Sequence, residues 1–296
     1  MTSTTTDIAA VSEDAAQVVG DRESFILRPT CWAGGASDVG RYHAPNQDAV
    51  AMAAGQDATR RDIAVACVSD GVSTSPHAED ASALAVETAC AYLTGQLRNT
   101  PASFDIDRCL RRAFSAANQA VIAAAGTIAP GTWACTMVVA AWWRGLVVVG
   151  SIGDSRCYWV PQTGAAVALS TDDSLAQAQI ELGVDREVAE ASSGAHAITK
   201  WLGPGSLGAQ PSLTHLVVEQ PGWLVTCSDG LWNYASDPQA MAQALHDALN
   251  RATGPSSADT APPAWAVCKE LVDWANDQGG HDNIAVTLLR LTPADR

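Results

Sequence analysis

The sequence predicts an α+β protein built in packed layers, and three observations carry this expectation. Short apolar runs bounded by Gly, Pro, Asp or Asn lie on both sides of two long stretches of helical periodicity. Most of these runs are apolar on both faces, which suits sheets covered on either side rather than sheets open to water. Strands, helices, strands, helices and a last strand follow one another, so the 296 residues are read as one domain with a single large core.

Residues 1–26 are rich in Thr, Ser, Ala and acidic side chains without a period, and a mobile tail is expected there, with the folded domain over 27–292. Strand-like runs occupy Phe25–Ala33, Ala49–Ala53 and Ile63–Ser69. A helix is predicted over Ala78–Leu97, where Ala81, Leu84, Thr88 and Tyr92 share a face behind the acidic first turn of Glu79 and Asp80. A second, over Phe104–Ala125, aligns Leu110, Phe114, Ala117 and Val121. A β-meander then runs through Thr132–Trp143, Leu146–Ile152, Cys157–Val160 and Ala165–Leu169, turned first at Arg144-Gly145. Residues 171–196 read as polar and helical. Strands at Ser212–Val218, Trp223–Cys227 and Ile284–Leu291 follow, with helices at Pro238–Arg251 and Pro263–Asp277 between them.

Composition excludes several classes of function. With 32 acidic against 17 basic residues and a net charge of −15, the chain would repel a phosphate backbone, and it has no basic stripe interleaved with aromatics. Nucleic acid is not an expected partner. The eight cysteines are scattered through apolar runs without a C-x-x-C pair, which points to reduced core thiols rather than a zinc site. The ten tryptophans are dispersed, so core packing is expected of them rather than a stacking platform. The first residues lack a basic region followed by an apolar segment, and the longest apolar stretch is broken by Arg144 and Gly145. A cytoplasmic protein without a membrane span is therefore expected.

The most informative pattern is an apolar run ending in Ser-Asp-Gly, used twice: IAVACVSDG at Ile63–Gly71 and WLVTCSDG at Trp223–Gly230. Each sets a carboxylate, Asp70 or Asp229, at the end of a buried strand. Asp154 follows another apolar run and Asp282 precedes one. Any single Asp-Gly is more often a turn pair than a ligand. Four carboxylates gathered at the ends of buried strands would repel one another unless protonated or neutralised, and hard divalent cations such as Mg²⁺ and Mn²⁺ prefer such an all-oxygen site.

Taken in order, the motifs resemble those of the metal-dependent serine/threonine protein phosphatases of type 2C, in their bacterial form. They are SDVGRYHAPNQDAV (Ser37–Val50), VACVSDGVS, the hairpin with Gly-Asp-Ser-Arg ending at Arg156, LSTDDS (Leu169–Ser174), AITKWLG (Ala197–Gly203), LVTCSDGLW and DNIAVTLLRL. The resemblance implies a four-layer α/β/β/α sandwich with two central antiparallel sheets and a two-metal cleft at one edge. It implies two Mn²⁺ or Mg²⁺ ions: Asp70 bridges them, the Gly71 carbonyl joins the second, Asp229 and Asp282 complete the first, and Asp154 binds a third, weaker ion. Asp48 would act through metal-bound waters.

The activity implied is hydrolysis of phosphoserine or phosphothreonine on proteins by a water bridging the two metals, with a cognate serine/threonine kinase as a further partner. The alternative is a pseudophosphatase scaffold that binds a phosphoprotein or kinase without hydrolysis. Three departures bear on the choice. His43 stands where the family usually has a phosphate-clamping arginine, and a histidine can lose its charge near neutrality; Arg41 is the candidate substitute. Val72 occupies a position where some relatives have histidine, and Asp173 replaces a commoner histidine, adding negative charge beside Asp154. The acidic residues of the 171–196 segment would either favour basic sequences around the phosphoresidue or simply form a solvated face.

Overall fold

The computed structural model describes residues 17–100, 103–126, 133–206, 210–253 and 261–294. In chain order the first half comprises β1 (Gln17–Gly20), β2 (Ser24–Arg28), β3 (Ala33–Asp38), β4 (Asp48–Gln56), β5 (Asp62–Asp70), α1 (Ala78–Arg98), α2 (Ile106–Ala125), β6 (Met137–Trp143) and β7 (Leu146–Ile152). The second half comprises β8 (Arg156–Pro161), β9 (Val167–Ala168), α3 (Leu175–Glu181), α4 (Arg186–Glu190), β10 (Ser212–Val217), β11 (Gly222–Cys227), α5 (Asp229–Trp232), α6 (Pro238–Thr253), α7 (Ala264–Gln278) and β12 (Ile284–Leu291).

The strands form two antiparallel sheets, one ordered β1-β2-β3-β12-β11-β8-β9 and the other β10-β7-β6-β5-β4. Period-two alternation explains the layering. In β5, Ile63, Val65 and Cys67 join α1 and α2 in one core, whereas Ala64, Ala66 and Val68 face the opposite sheet. In β12, Ile284, Val286 and Leu288 pack with α6 and α7, whereas Ala285, Leu289 and Leu291 face inward between the sheets. Three cores stacked in this way make the expected four-layer α/β/β/α sandwich. Each fully buried Val or Leu contributes about 1.5–3 kcal/mol.

Several local expectations change. The run Phe25–Ala33 is two strands, because Pro29 cannot donate to a ladder and Thr30 Oγ1 accepts the Ala33 N–H at 3.1 Å to turn the chain into β3. The expected meander is divided between the sheets. β6 and β7 form a hairpin through Arg144-Gly145, but Gly153 (φ 93°) starts a crossing that carries the chain into β8 of the other sheet. Of the expected tail, residues 1–16 lie outside the described residues, and Gln17–Gly20 is a strand paired with β2. All four residues of β1 are exposed, so main-chain pairing rather than apolar burial holds it, and no hydrophobic pattern marked it. Seven of the eight cysteines are buried and free, as expected, with Cys31 exposed. Among the described residues, no helix is long and apolar enough to cross a membrane.

Phe114 on α2 is fully buried in the core between α1, α2 and the five-stranded sheet. Phe114→Ala is expected to lower the free energy of unfolding by about 3–5 kcal/mol, read as a shift of the urea midpoint.

Candidate functional site

Antiparallel pairing of β4 with β5 sets Asp48 directly opposite Asp70 at one end of the sandwich. The opposing sheet supplies Asp229, which opens α5 just beyond β11, and Asp282, just before β12. Asp154 lies in the crossing between β7 and β8. Both Asp-Gly pairs are explained by crowding. A Cβ on Gly71 would lie 2.6 Å from the Ala78 carbonyl oxygen at the start of α1, and one on Gly230 would lie 1.9 Å from the Asn283 carbonyl oxygen. Only glycine lets the chain pass so close behind each aspartate.

The five carboxylates share one electrostatic environment. Burial, followed by the charges of Asp48, Asp229, Asp154 and Asp282, pushes Asp70 well above the usual carboxylate range. Burial raises Asp48 strongly as well, against a hydrogen bond from Ser228, with Asp229 and Asp282 adding to the rise. Burial and then Asp229 raise Asp154. Asp229 is pushed up to about 7 by burial and then by Asp282. Among the described residues no Lys or Arg forms an ion pair with any of the five; the one partner is His43, whose Nε2 lies 3.9 Å from Asp282 Oδ1 at the cleft mouth.

Polar side chains without a strong sequence signal hold these aspartates in place. Ser228 Oγ donates to Asp48 Oδ2 at 2.5 Å while accepting the Ala285 N–H at 2.9 Å, tying one sheet's carboxylate to the other sheet's strand. Asn283 accepts the Gln47 N–H and donates to the Val39 carbonyl, both at 2.8 Å, which fixes the loop leading to Asp48. Thr136 Oγ1 accepts the Asp70 N–H at 3.0 Å.

Arg156 is the largest feature that sequence reasoning missed. It is buried, makes three hydrogen bonds to Asp172 (2.7–3.1 Å), reaches Glu190 at 3.0 Å and Ser236 Oγ at 2.8 Å, and stacks over Trp232 at 3.5 Å. Its guanidinium is held firmly charged by Asp172. The Trp232 indole in turn donates to the Asp154 carbonyl at 2.9 Å. Glu190 sits below the usual range because hydrogen bonds from Ser236 and Arg156 outweigh its burial.

The remaining candidates fall into place around this frame. Arg41 is engaged at the C-terminus of α7, donating to the Asn276 carbonyl at 2.7 Å and meeting Asp277 at 3.3 Å, so its charge serves a helix end and not the aspartates. Asp173 accepts from the Gly153 N–H and pairs with Lys200 at 2.5 Å, so its negative charge is not left unpaired beside Asp154. Of the six acidic residues between 171 and 196, Asp172, Asp173 and Glu190 are thus committed to internal partners. His196 was not anticipated: one ligand atom each from Asp154, His196 and Asp229 lie within 4.8 Å of one another. Its segment is polar without a period, and a lone histidine there carries no signal.

Fold and site together define the class of protein. In the structure of the Ser-Thr phosphatase MsPP from Mycobacterium smegmatis in complex with cacodylate, 97% of that chain aligns with 88% of this one at 26% identity and a TM-score of 0.63. The catalytic domain of the serine threonine protein phosphatase PstP in complex with 2 manganese ions aligns over 97% of its chain and 88% of this one, at 22% identity and a TM-score of 0.66. The family model for protein phosphatase 2C matches residues 39–274, and the chain belongs to that family. A curated relative, probable protein phosphatase 2C 74 of Oryza sativa subsp. japonica, is 27% identical over 208 residues, 65% of this chain. The chain spans about half the length (48%) of that relative.

In chelator-treated protein the raised carboxylates make stability fall with pH. An aspartate raised to about 7 in the folded state stays protonated while its unfolded counterpart ionises near 4, so the stability present below that value is lost as pH rises through 7. Melting in EDTA is expected to give a lower Tm at pH 8 than at pH 5, with the difference reduced in Asp229→Asn.

Proposed function

We propose that this chain hydrolyses phosphoserine and phosphothreonine on proteins, using two divalent metal ions held in the acidic cleft. The observation that carries this reading is five convergent carboxylates, drawn from both sheets, with no lysine or arginine paired to them among the described residues. An all-carboxylate donor set fits Mn²⁺ or Mg²⁺. Asp70, Asp229, Asp282 and the Gly71 carbonyl are the proposed ligands of two ions, with Asp154 at a third, weaker position where His196 adds a nitrogen donor. Such ions supply Lewis acidity, lowering the pKa of water and neutralising charge on phosphoryl oxygens.

The chain's own groups then have defined tasks. Asp48, fixed by Ser228, orients water from behind the ligand shell. His43 at the cleft mouth offers an N–H donor to a phosphate group, while Arg41 is already bonded to α7. Cysteine chemistry has no place in the site: burial pushes the Cys135 and Cys157 thiols up to about 12, and no Cys-x5-Arg loop is present. A phosphorylated protein is the proposed substrate and a serine/threonine kinase the proposed functional counterpart. The cacodylate of the M. smegmatis relative and the manganese of the PstP domain accord with an anion and metals at this kind of fold.

Purified protein should release phosphate from a phosphothreonine peptide with Mn²⁺ or Mg²⁺ and not with EDTA. Asp229→Ala and Asp282→Ala are expected to fall to background while keeping the wild-type circular dichroism, and Asp48→Asn to lose about 10–100-fold. Wild-type turnover no greater than that of Asp229→Ala, with Mn²⁺ still raising the Tm, would overturn hydrolysis in favour of a metal-bound scaffold.

His43→Arg restores a permanent cation at the mouth. Steady-state kinetics should show a KM several-fold lower for the phosphopeptide, because a guanidinium presents a forked, permanently charged set of donors.

A further inference from the structure

The end of the sandwich opposite the aspartates has the reverse chemistry. β4 runs from Asp48 in the acidic cleft to Gln56, a distance of about 25 Å at roughly 3.3 Å per residue. There, the β4–β5 and β6–β7 hairpins, the segment before β3 and the chain after β12 enclose an open cavity of about 780 Å³. Four guanidinium groups line it, those of Arg60, Arg61, Arg144 and Arg290, together with the indoles of Trp32 and Trp142. A single carboxylate, Asp62, shares the lining, and it already accepts a hydrogen bond from Gln56 at 3.3 Å. In a chain of net charge −15 this local excess of cations is a reversal of the whole-molecule field.

Three observations indicate that the cluster is built for a ligand. None of the four arginines forms an ion pair among the described residues: Arg144 lies over the Trp143 ring at 4.8 Å and helps hold the nearby Asp57 carboxyl low, and Arg290 lies over the Trp223 ring at 5.9 Å, contacts that leave the guanidinium edges without a paired carboxylate. Arg144 Nε is buried and has no hydrogen-bond partner, a donor that folding leaves unsatisfied. Arg60 (φ 61°) and Arg144 (φ 50°) are the non-glycine residues with positive φ among the described residues, and both line this cavity. At Arg144-Gly145 a two-residue hairpin turn would favour Asn-Gly; arginine in the left-handed conformation is retained there against local preference.

We infer that this cavity binds a small organic polyphosphate of nucleotide size. Several guanidinium forks suit successive phosphate groups better than a single carboxylate, the half-buried Trp32 indole offers apolar surface to an attached ring while Trp142 is buried in the core beneath, and the volume falls within the range of small-molecule sites. The site is separate from the acidic cleft and does not depend on what that cleft hydrolyses.

Calorimetric titration of the full chain in EDTA, which removes metal-mediated phosphate binding at the aspartates, tests this with sodium triphosphate and with ATP as probes. Micromolar binding is expected, weakened at least tenfold in Arg60→Gly/Arg144→Gly. Glycine accepts both backbone conformations, so this variant should keep or raise the Tm and leave turnover of an aryl phosphate unchanged. ATP binding more tightly than triphosphate would support a share for the Trp32 indole, and equal affinities would support recognition by the guanidiniums alone. No binding of either probe at millimolar concentration, or binding undiminished in the double variant, would overturn the inference.

Discussion

The acidic end of this molecule depends on keeping five carboxylates together, two of them (Asp48 and Asp154) buried and three half-buried. Two ionised groups about 5 Å apart repel by roughly 3 kcal/mol at an effective dielectric of about 20, and Asp154 and Asp229 stand within such a distance. A flexible assembly would relieve that strain by spreading. This one cannot, because each aspartate sits where a strand or its flanking turn is already fixed by a core on both faces. The raised positions of Asp48, Asp70, Asp154 and Asp229 register the result: without a cation, protonation is the relief the fold allows.

The rigidity comes from the way two sheets share the work. Asp48 and Asp70 belong to the five-stranded sheet, Asp229 and Asp282 to the ends of strands in the seven-stranded one, and Asp154 to the crossing between them. The geometry of the cleft is therefore set by the packing of Ala, Val and Trp side chains between the sheets, not by any loop alone. Ser228 adds a direct tie, since one hydroxyl bonds both Asp48 and the backbone of β12. Small changes in the spacing of the sheets would be felt at once as changes in carboxylate separation.

Much of this was legible in the sequence because the aspartates border apolar runs, and strand ends are where a buried sheet meets solvent. The bounds of β12 and the starts of α1 and β7 follow from patterning alone. What stayed hidden lacks a local pattern. β1 buries nothing, so no alternation announces it. The division of the supposed meander between two sheets rests on the turn at Gly153, and an apolar strand reads the same in either sheet. The partners of Arg156 lie 16, 34 and 80 residues away, a separation at which only tertiary structure brings charges together. His196 and Ser228 have roles that depend on where folding delivers them.

Arg156 also explains why the cleft stays electrostatically unbalanced. It is a buried cation near Asp154, and at first sight a natural counterion for the cluster. Its hydrogen bonds, however, all go elsewhere: to Asp172 and Glu190, which together outnumber its single charge, and to Ser236 and Tyr158. Breaking a buried pair of this kind costs about 3–5 kcal/mol, so the guanidinium is not free to turn toward the aspartates. Its charge lowers Asp154 and Asp229 somewhat without offsetting their burial, and it also positions Asp154 through the Trp232 ring it stacks upon and the indole N–H that holds the Asp154 carbonyl. The fold thus spends its interior cation on positioning a carboxylate and leaves the neutralisation of the cluster to something that must come from outside the chain.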